Sequence, residues 1–147
     1  AVGLAQLERI ELLVERRKKI GQMFLEAVKN SSWLVSQEIP NYMDHSYFTF
    51  GVRYLGEEKK GIKWKEFYNL YKKIGGDGFY ACWKPPYLEP SLYGKKMGNQ
   101  IFKEGLCPIA ENYQKSLMVF KTNYRNLDEA KKQTMILSKL IDEIGRA

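Results

Sequence analysis

The run Gly75-Gly76-Asp77-Gly78-Phe79-Tyr80-Ala81-Cys82-Trp83-Lys84-Pro85-Pro86-Tyr87-Leu88-Glu89-Pro90 constrains this chain more than any other, because glycines, aromatics and prolines are crowded most densely there. The glycines supply the positive φ angles needed to reverse direction after a helix, and Asp77 is placed to close the turn through its own backbone. Pro85, Pro86 and Pro90 lock φ and push the residues before them into extended conformations. The expectation is a helix stop, a strand and a stiff loop displaying Trp83, Lys84, Tyr87 and Glu89.

Upstream, Val2 to Lys29 carries a helical stripe of Leu7, Ile10, Val14, Gly21, Phe24 and Val28, broken by Arg17. Such a helix spans about 40 Å, long for a small domain. Trp33 to Val35 reads as a short strand and Pro40-Asn41 as a loop. His45 to Tyr54 is the clearest strand, with Phe48, Phe50, Val52 and Tyr54 alternating against Tyr47, Thr49, Gly51 and Arg53. Gly56 to Gly61 reads as a charged turn. Lys63 to Ile74 places Phe67, Leu70, Tyr71 and Ile74 at helical spacing and stops at Gly75-Gly76.

Tyr93 to Gly105 reads as irregular and mobile. Pro108 opens a short helix to about Lys115, and Leu117 to Phe120 follows as a strand. Asn126 with Glu129 forms a capping-box pattern for a last helix buried through Ala130, Thr134, Leu137, Leu140, Ile141 and Ile144 and ended by Gly145. The expected fold class is α+β: a small, mostly antiparallel sheet of three to four strands, covered by helices on one face, with a long N-terminal helix.

At 147 residues the chain has the size of one compact domain, residues 1–30 forming a packing or linker helix and 31–147 an α+β body. Disorder is excluded as a global description by 44% hydrophobic against 28% charged residues. The net charge of +7 would suit a polyanion, yet 24 basic residues are interleaved with 17 acidic ones, which argues against a nucleic-acid surface. Cys82 and Cys107 allow at most one disulfide and sit in no metal-ligand pair, so reduced cysteines in a cytoplasmic protein are expected. No apolar run approaches the roughly 20 residues of a membrane helix. The chain opens at Ala1 already in helical register by Leu4 and reads as cut from something longer.

P-loop, GxGxxG, HExxH and GxSxG patterns are absent. Gly75 to Gly78 follows a helix and precedes a strand, the reverse of a phosphate-cradling loop, and so reads as a turn. His45, the only histidine, reads as a hydrogen-bonded structural residue. Cys82 reads as a small packed residue. Trp83 and Tyr87 either stack on a ligand ring or cap the core, and Lys84 and Glu89 are solvated or touch a ligand.

Residue strings carry further information. Gly3-Leu4-Ala5-Gln6-Leu7-Glu8-Arg9-Ile10 followed by Val14-Glu15-Arg16-Arg17 resembles the segment joining the two domains of the DegT/DnrJ/EryC1/StrS sugar aminotransferases. Leu106-Cys107-Pro108-Ile109-Ala110-Glu111 resembles that family's CPVAE segment, and Gly75 to Pro90 a loop of one of its branches. The resemblance runs along nearly the whole chain in the right order. It implies the C-terminal, small domain of a fold-type I enzyme that uses pyridoxal phosphate (PLP) to aminate a nucleotide-linked keto sugar, usually as a homodimer. It also implies a PLP-binding large domain before Ala1 that holds the Schiff-base lysine, so this chain is expected to hold no catalytic residue and no metal ligand.

Substrate contacts implied by the resemblance fall at Tyr80 to Trp83, and with the residues displayed on the stiff loop the candidate substrate-binding set is Tyr80, Cys82, Trp83, Lys84, Tyr87 and Glu89. Many relatives resemble a His-Tyr pair where this chain reads Cys82-Trp83. Two other classes compete: a self-standing module holding a sugar nucleotide or nucleic acid on Trp83, Tyr87 and nearby lysines, and a structural assembly domain with an exposed apolar stripe on its first helix. Trp83→Ala in the full-length protein is expected to weaken sugar-nucleotide binding while leaving PLP attachment intact. Parallel titrations of sugar nucleotide and of PLP check this, and equal loss of both counts against the assignment.

Overall fold

The computed structural model describes residues 2–146. The expected single N-terminal helix is two, α1 (Val2–Leu7) and α2 (Ile10–Val28). At Arg9 the amide turns back to the Gln6 carbonyl at 3.2 Å, a tight turn that ends α1, and the Leu13 amide resumes the helical ladder on Arg9. The apolar stripe is buried only where α2 meets the sheet, at Ile20, Gly21, Phe24 and Val28. Leu7 and Ile10, expected on that stripe, stand in solvent with Val2, Leu4 and Leu12.

The sheet has the order β1-β2-β6-β3, built from β1 (Leu34–Ser36), β2 (Thr49–Tyr54), β3 (Tyr80–Ala81) and β6 (Leu117–Lys121). Every pairing is antiparallel, with Phe50 opposite Phe120 and Tyr80 opposite Val119. One face, carrying Phe50, Val52, Tyr54, Met118 and Phe120, is buried beneath α2, α4 (Trp64–Lys73) and α6 (Leu127–Arg146). The other face alternates to Thr49, Gly51 and Arg53, which are half-buried. On that side α5 (Pro108–Gln114) lays the Tyr113 ring against the Arg53 guanidinium, 4.5 Å from the ring centroid. The expectation of helices on one face therefore needs correcting: α5 occupies the opposite one.

The β2 segment also enters differently from its alternation. Tyr47 takes a left-handed φ of 48°, which swings its ring into the core and leaves Phe48, expected inside, 75% exposed. Three side chains hold that backbone: the Tyr47 amide donates to His45 Nδ1 at 2.9 Å, Thr122 Oγ1 shares its proton between the Tyr47 carbonyl at 2.6 Å and the Phe48 carbonyl at 2.9 Å, and Arg17 Nη1 donates to the Phe48 carbonyl at 2.7 Å. The charge that breaks the stripe of α2 is thus used, and His45 has the structural role expected of it. Tyr47 in turn fills the space over Gly21, where a Cβ would stand 2.3 Å from the ring.

Helix α4 ends as its glycines require. Gly75, at φ 96°, donates its amide to the Lys72 carbonyl and Gly76 to that of Tyr71, the paired bonds of a Schellman stop. Asp77 does not close the turn on its own backbone. Its amide donates to Gln133 Oε1 of α6 at 2.9 Å, while its carboxylate accepts from the Tyr124 hydroxyl at 3.0 Å and pairs with Lys121. Long-range partners pin the turn because α6 and β6 pass directly beneath it. Burial, seconded by Asp77, pushes the Tyr124 phenol well above its usual range, so this hydroxyl stays a donor.

Three local readings are corrected. Gly56 to Gly61 is a short helix, α3 (Gly56–Lys60), closed by Gly61 at φ 67°. The stretch read as irregular contains a two-stranded hairpin, β4 (Lys96–Met97) and β5 (Gln100–Ile101), turned at Gly98. Gly145 lies inside α6, which runs on to Arg146. The cap of that helix is as read: the Glu129 amide donates to Asn126 Oδ1 at 2.9 Å.

Gly21→Ala is expected to destabilise the fold by about 1–3 kcal/mol, because the Tyr47 ring has no room to retreat. Urea unfolding checks this, with Gly3→Ala, where nothing lies within 4 Å of the added methyl, as the unaffected control.

Candidate functional site

The segment that carries the expected site leaves the sheet at β3 and returns at β6. Tyr80 sits on the edge strand opposite Val119 and is 65% exposed. Cys82 is a free, half-buried thiol, and Trp83, next to it, is 92% exposed. Lys84 and Glu89 are exposed side chains. The prolines do stiffen this loop: Pro86–Leu88 forms a 3-10 turn, and the Glu89 carbonyl then accepts the amides of Leu92 and Tyr93. Of the six expected residues, Tyr80, Trp83, Lys84 and Glu89 are exposed and Cys82 and Tyr87 are half-buried. Trp83 and Lys84 point to solvent, whereas Tyr87 is tied down inside the excursion.

Two side chains of α5, absent from the expected site, organise the excursion. Glu111 Oε1 accepts from the Tyr87 hydroxyl at 2.6 Å and from the Gly105 amide at 3.0 Å, and Oε2 accepts from Gly105 at 2.9 Å. The Cys107 amide adds a longer bond of 3.3 Å to Oε1. One turn further along, Gln114 Nε2 donates to the Cys82 carbonyl at 2.9 Å. The Tyr87 ring meets Phe102, whose backbone pairs with Gly94 and Lys95 and so holds the hairpin in place. Glu111 and Gln114 share one helix face, and between them they grip both flanks of the Trp83 segment.

The electrostatics agree with this geometry. The Tyr87 hydrogen bond, followed by the Gly105 amide, holds the Glu111 carboxyl below the ordinary glutamate range. Burial and the bond to Glu111 push the Tyr87 phenol up, so Tyr87 remains the donor and Glu111 the acceptor. The signal for Glu111 was present in the sequence as an acid in the first turn of a proline-started helix. Nothing local announced its partners, which lie 6 and 24 residues away.

No group of residues among those described suits a metal ion. A Schiff base to PLP needs a lysine that loses its proton easily, which burial without an ion partner provides. Among the described residues every lysine is exposed except Lys18 and Lys121, and those two are ion-paired with Asp44 and Asp77. Asp44 raises the proton affinity of Lys18, the wrong direction for a nucleophile. These residues do not fit a PLP-bonding site. An open groove of about 640 Å³ lies elsewhere, between Ile74 and the Met135-Ile136 flank of α6, rimmed by Lys131, Lys132 and Lys139. No described helix is long and apolar enough to cross a membrane.

Comparison with known proteins finds no matching family profile and no matching curated protein. Solved structures do match in fold. Spr1654 of Streptococcus pneumoniae, designated a sugar aminotransferase and solved in its PMP form, superposes on 97% of this chain with a TM-score of 0.67 and 18% identity. PseC of Helicobacter pylori, an aminotransferase of pseudoaminic acid biosynthesis, superposes on 96% with a TM-score of 0.61 and 13% identity. The chain spans about a third of each, 34% and 36% of their lengths. The α+β fold with its small antiparallel sheet is therefore shared with about a third of each of these two proteins.

Protonating Glu111 removes the acceptor that joins Tyr87, Gly105 and Cys107. Its folded-state proton affinity is lowered, so the anchoring it provides is complete above about pH 4.3, the ordinary glutamate value, and is lost as the pH falls below that. Hydrogen exchange at pH 6 and pH 3.5 is expected to show faster exchange at the Gly105 and Cys107 amides at the lower pH, after correction for the intrinsic rate. In Glu111→Gln the difference should vanish.

Proposed function

We propose that this chain is the small, C-terminal domain of a PLP-dependent sugar aminotransferase of the DegT/DnrJ/EryC1/StrS type. In this reading it completes the pocket for a nucleotide-linked keto sugar and contributes to subunit packing in a homodimer. The observation that carries the reading is the superposition of nearly the entire chain on a third of a sugar aminotransferase. The order of the linker-like, glycine-loop and CPIAE strings supports it independently of geometry. PLP, when bound to the rest of such a protein, supplies the electron sink for amino transfer. The residues of this chain hold and orient the Trp83 loop and make no bond to the cofactor.

The assembly reading draws on a specific feature, the exposed apolar row of Val2, Leu4, Leu7, Ile10 and Leu12 on α1 and the start of α2. It is compatible with the aminotransferase reading, since a domain packed into a larger enzyme needs such a face. The full-length protein is expected to bind PLP with a visible or near-ultraviolet band and to convert a nucleotide-linked keto sugar to the amino sugar with an amino-acid donor. Full-length protein without a PLP band, or with the band but no transfer to any nucleotide-linked keto sugar, overturns the proposal.

A further inference from the structure

Trp83 has an unusual position for the largest side chain in a protein. It is 92% exposed, while the residues on either side of its short segment are fastened to α5. Before it, the Cys82 carbonyl accepts from Gln114; after it, the Tyr87 hydroxyl donates to Glu111. Between these points Pro85 and Pro86 remove two backbone rotations, and Pro86–Leu88 closes a 3-10 turn. The indole is thereby presented on a segment whose conformational entropy has already been spent, while the ring itself stands in solvent. A polar helix face, Glu111 with Gln114, that grips two flanks of an exposed tryptophan makes little contribution to a core.

We infer that Glu111 and Gln114 are positioning residues, a two-point clamp that holds Trp83 and the adjacent Lys84 as a platform for the nucleoside diphosphate portion of a nucleotide-linked substrate. The indole offers a face on which a base stacks, and the neighbouring ammonium offers a charge for the diphosphate. This rests on the nucleotide-sugar reading for its choice of ligand, but its geometry is independent of where the amino group is transferred. Glu111 and Gln114 touch no substrate in this scheme; they act through the loop. Tyr87 serves the same clamp, which explains why a residue expected to face ligand instead donates its hydroxyl inward.

The test uses the full-length protein with uridine diphosphate and thymidine diphosphate as probes. Calorimetric titration is expected to show at least one of them binding, with Tyr87→Phe and Gln114→Ala each weakening it about tenfold, the scale of one base–aromatic stack. In a Trp83→Ala background the same two substitutions should cost less than twofold, because a clamp with nothing to hold has nothing to lose. Circular dichroism and the PLP band of each variant, unchanged from wild type, separate mispositioning from unfolding. The clamp is overturned if wild-type protein binds neither diphosphate, if the clamp substitutions weaken binding equally with and without Trp83, or if they leave it unchanged. Loss of the PLP band in the wild type would instead overturn the aminotransferase reading and leave the diphosphate titrations to decide the clamp.

Discussion

The Phe120 ring is the contact on which the rest of the structure depends. It lies 5.2 Å from Phe24 of α2, 6.5 Å from Phe50 of β2, 6.1 Å from Tyr71 of α4 and 5.1 Å from Phe79. Elements drawn from four stretches of the chain meet at this one side chain of a central strand. Phe79 extends the contact to Phe67 and Trp64, and Phe67 extends it to Trp33, so the rings form one connected body from α2 to the start of β1. Aromatic pairs of this kind add about 0.5–1.5 kcal/mol each beyond the area they bury. The sheet needs that support, because its edge strands are only two and three residues long.

The excursion between β3 and β6 is held mainly by polar bonds instead. The excursion between Cys82 and Cys107 contributes no buried side chain to the core; its hairpin, 3-10 turn and exposed indole hang from Glu111, Gln114 and the Tyr87–Phe102 contact. A core built of rings and a loop built of a few hydrogen bonds differ in the free energy needed to open them. The loop can therefore open without disturbing Phe120, while in its closed form the prolines and the α5 bonds hold the Trp83 segment in one geometry. Segments that bind ligands are drawn from this less stable end of a structure, while the scaffold beneath them stays fixed.

Fold likeness alone does not carry an activity. Among the described residues the lysines are exposed or ion-paired, His45 Nδ1 accepts a backbone amide, and both cysteines are free. The apolar side chains Val2, Leu4 and Leu7 of α1 are exposed.

The sequence by itself determined the elements whose cause is local. Gly75 stops α4 because only glycine takes its φ of 96° cheaply, Asn126 caps α6, and the alternation of Phe50, Val52 and Tyr54 sets one face of β2. The α+β class and the expected strings followed from the same short-range patterns. Only the tertiary structure decided that Phe48 lies outside and Tyr47 inside, since that depends on Thr122 and Arg17, which are far away in the chain. It alone placed α5 on the opposite face of the sheet, carried Asp77 to Tyr124 and Lys121, and made Glu111 the anchor of Tyr87. Local geometry is written in neighbouring residues, whereas a carboxylate's partners are chosen by whichever strands and helices happen to pass within about 3 Å of it, and no spacing in the chain encodes that.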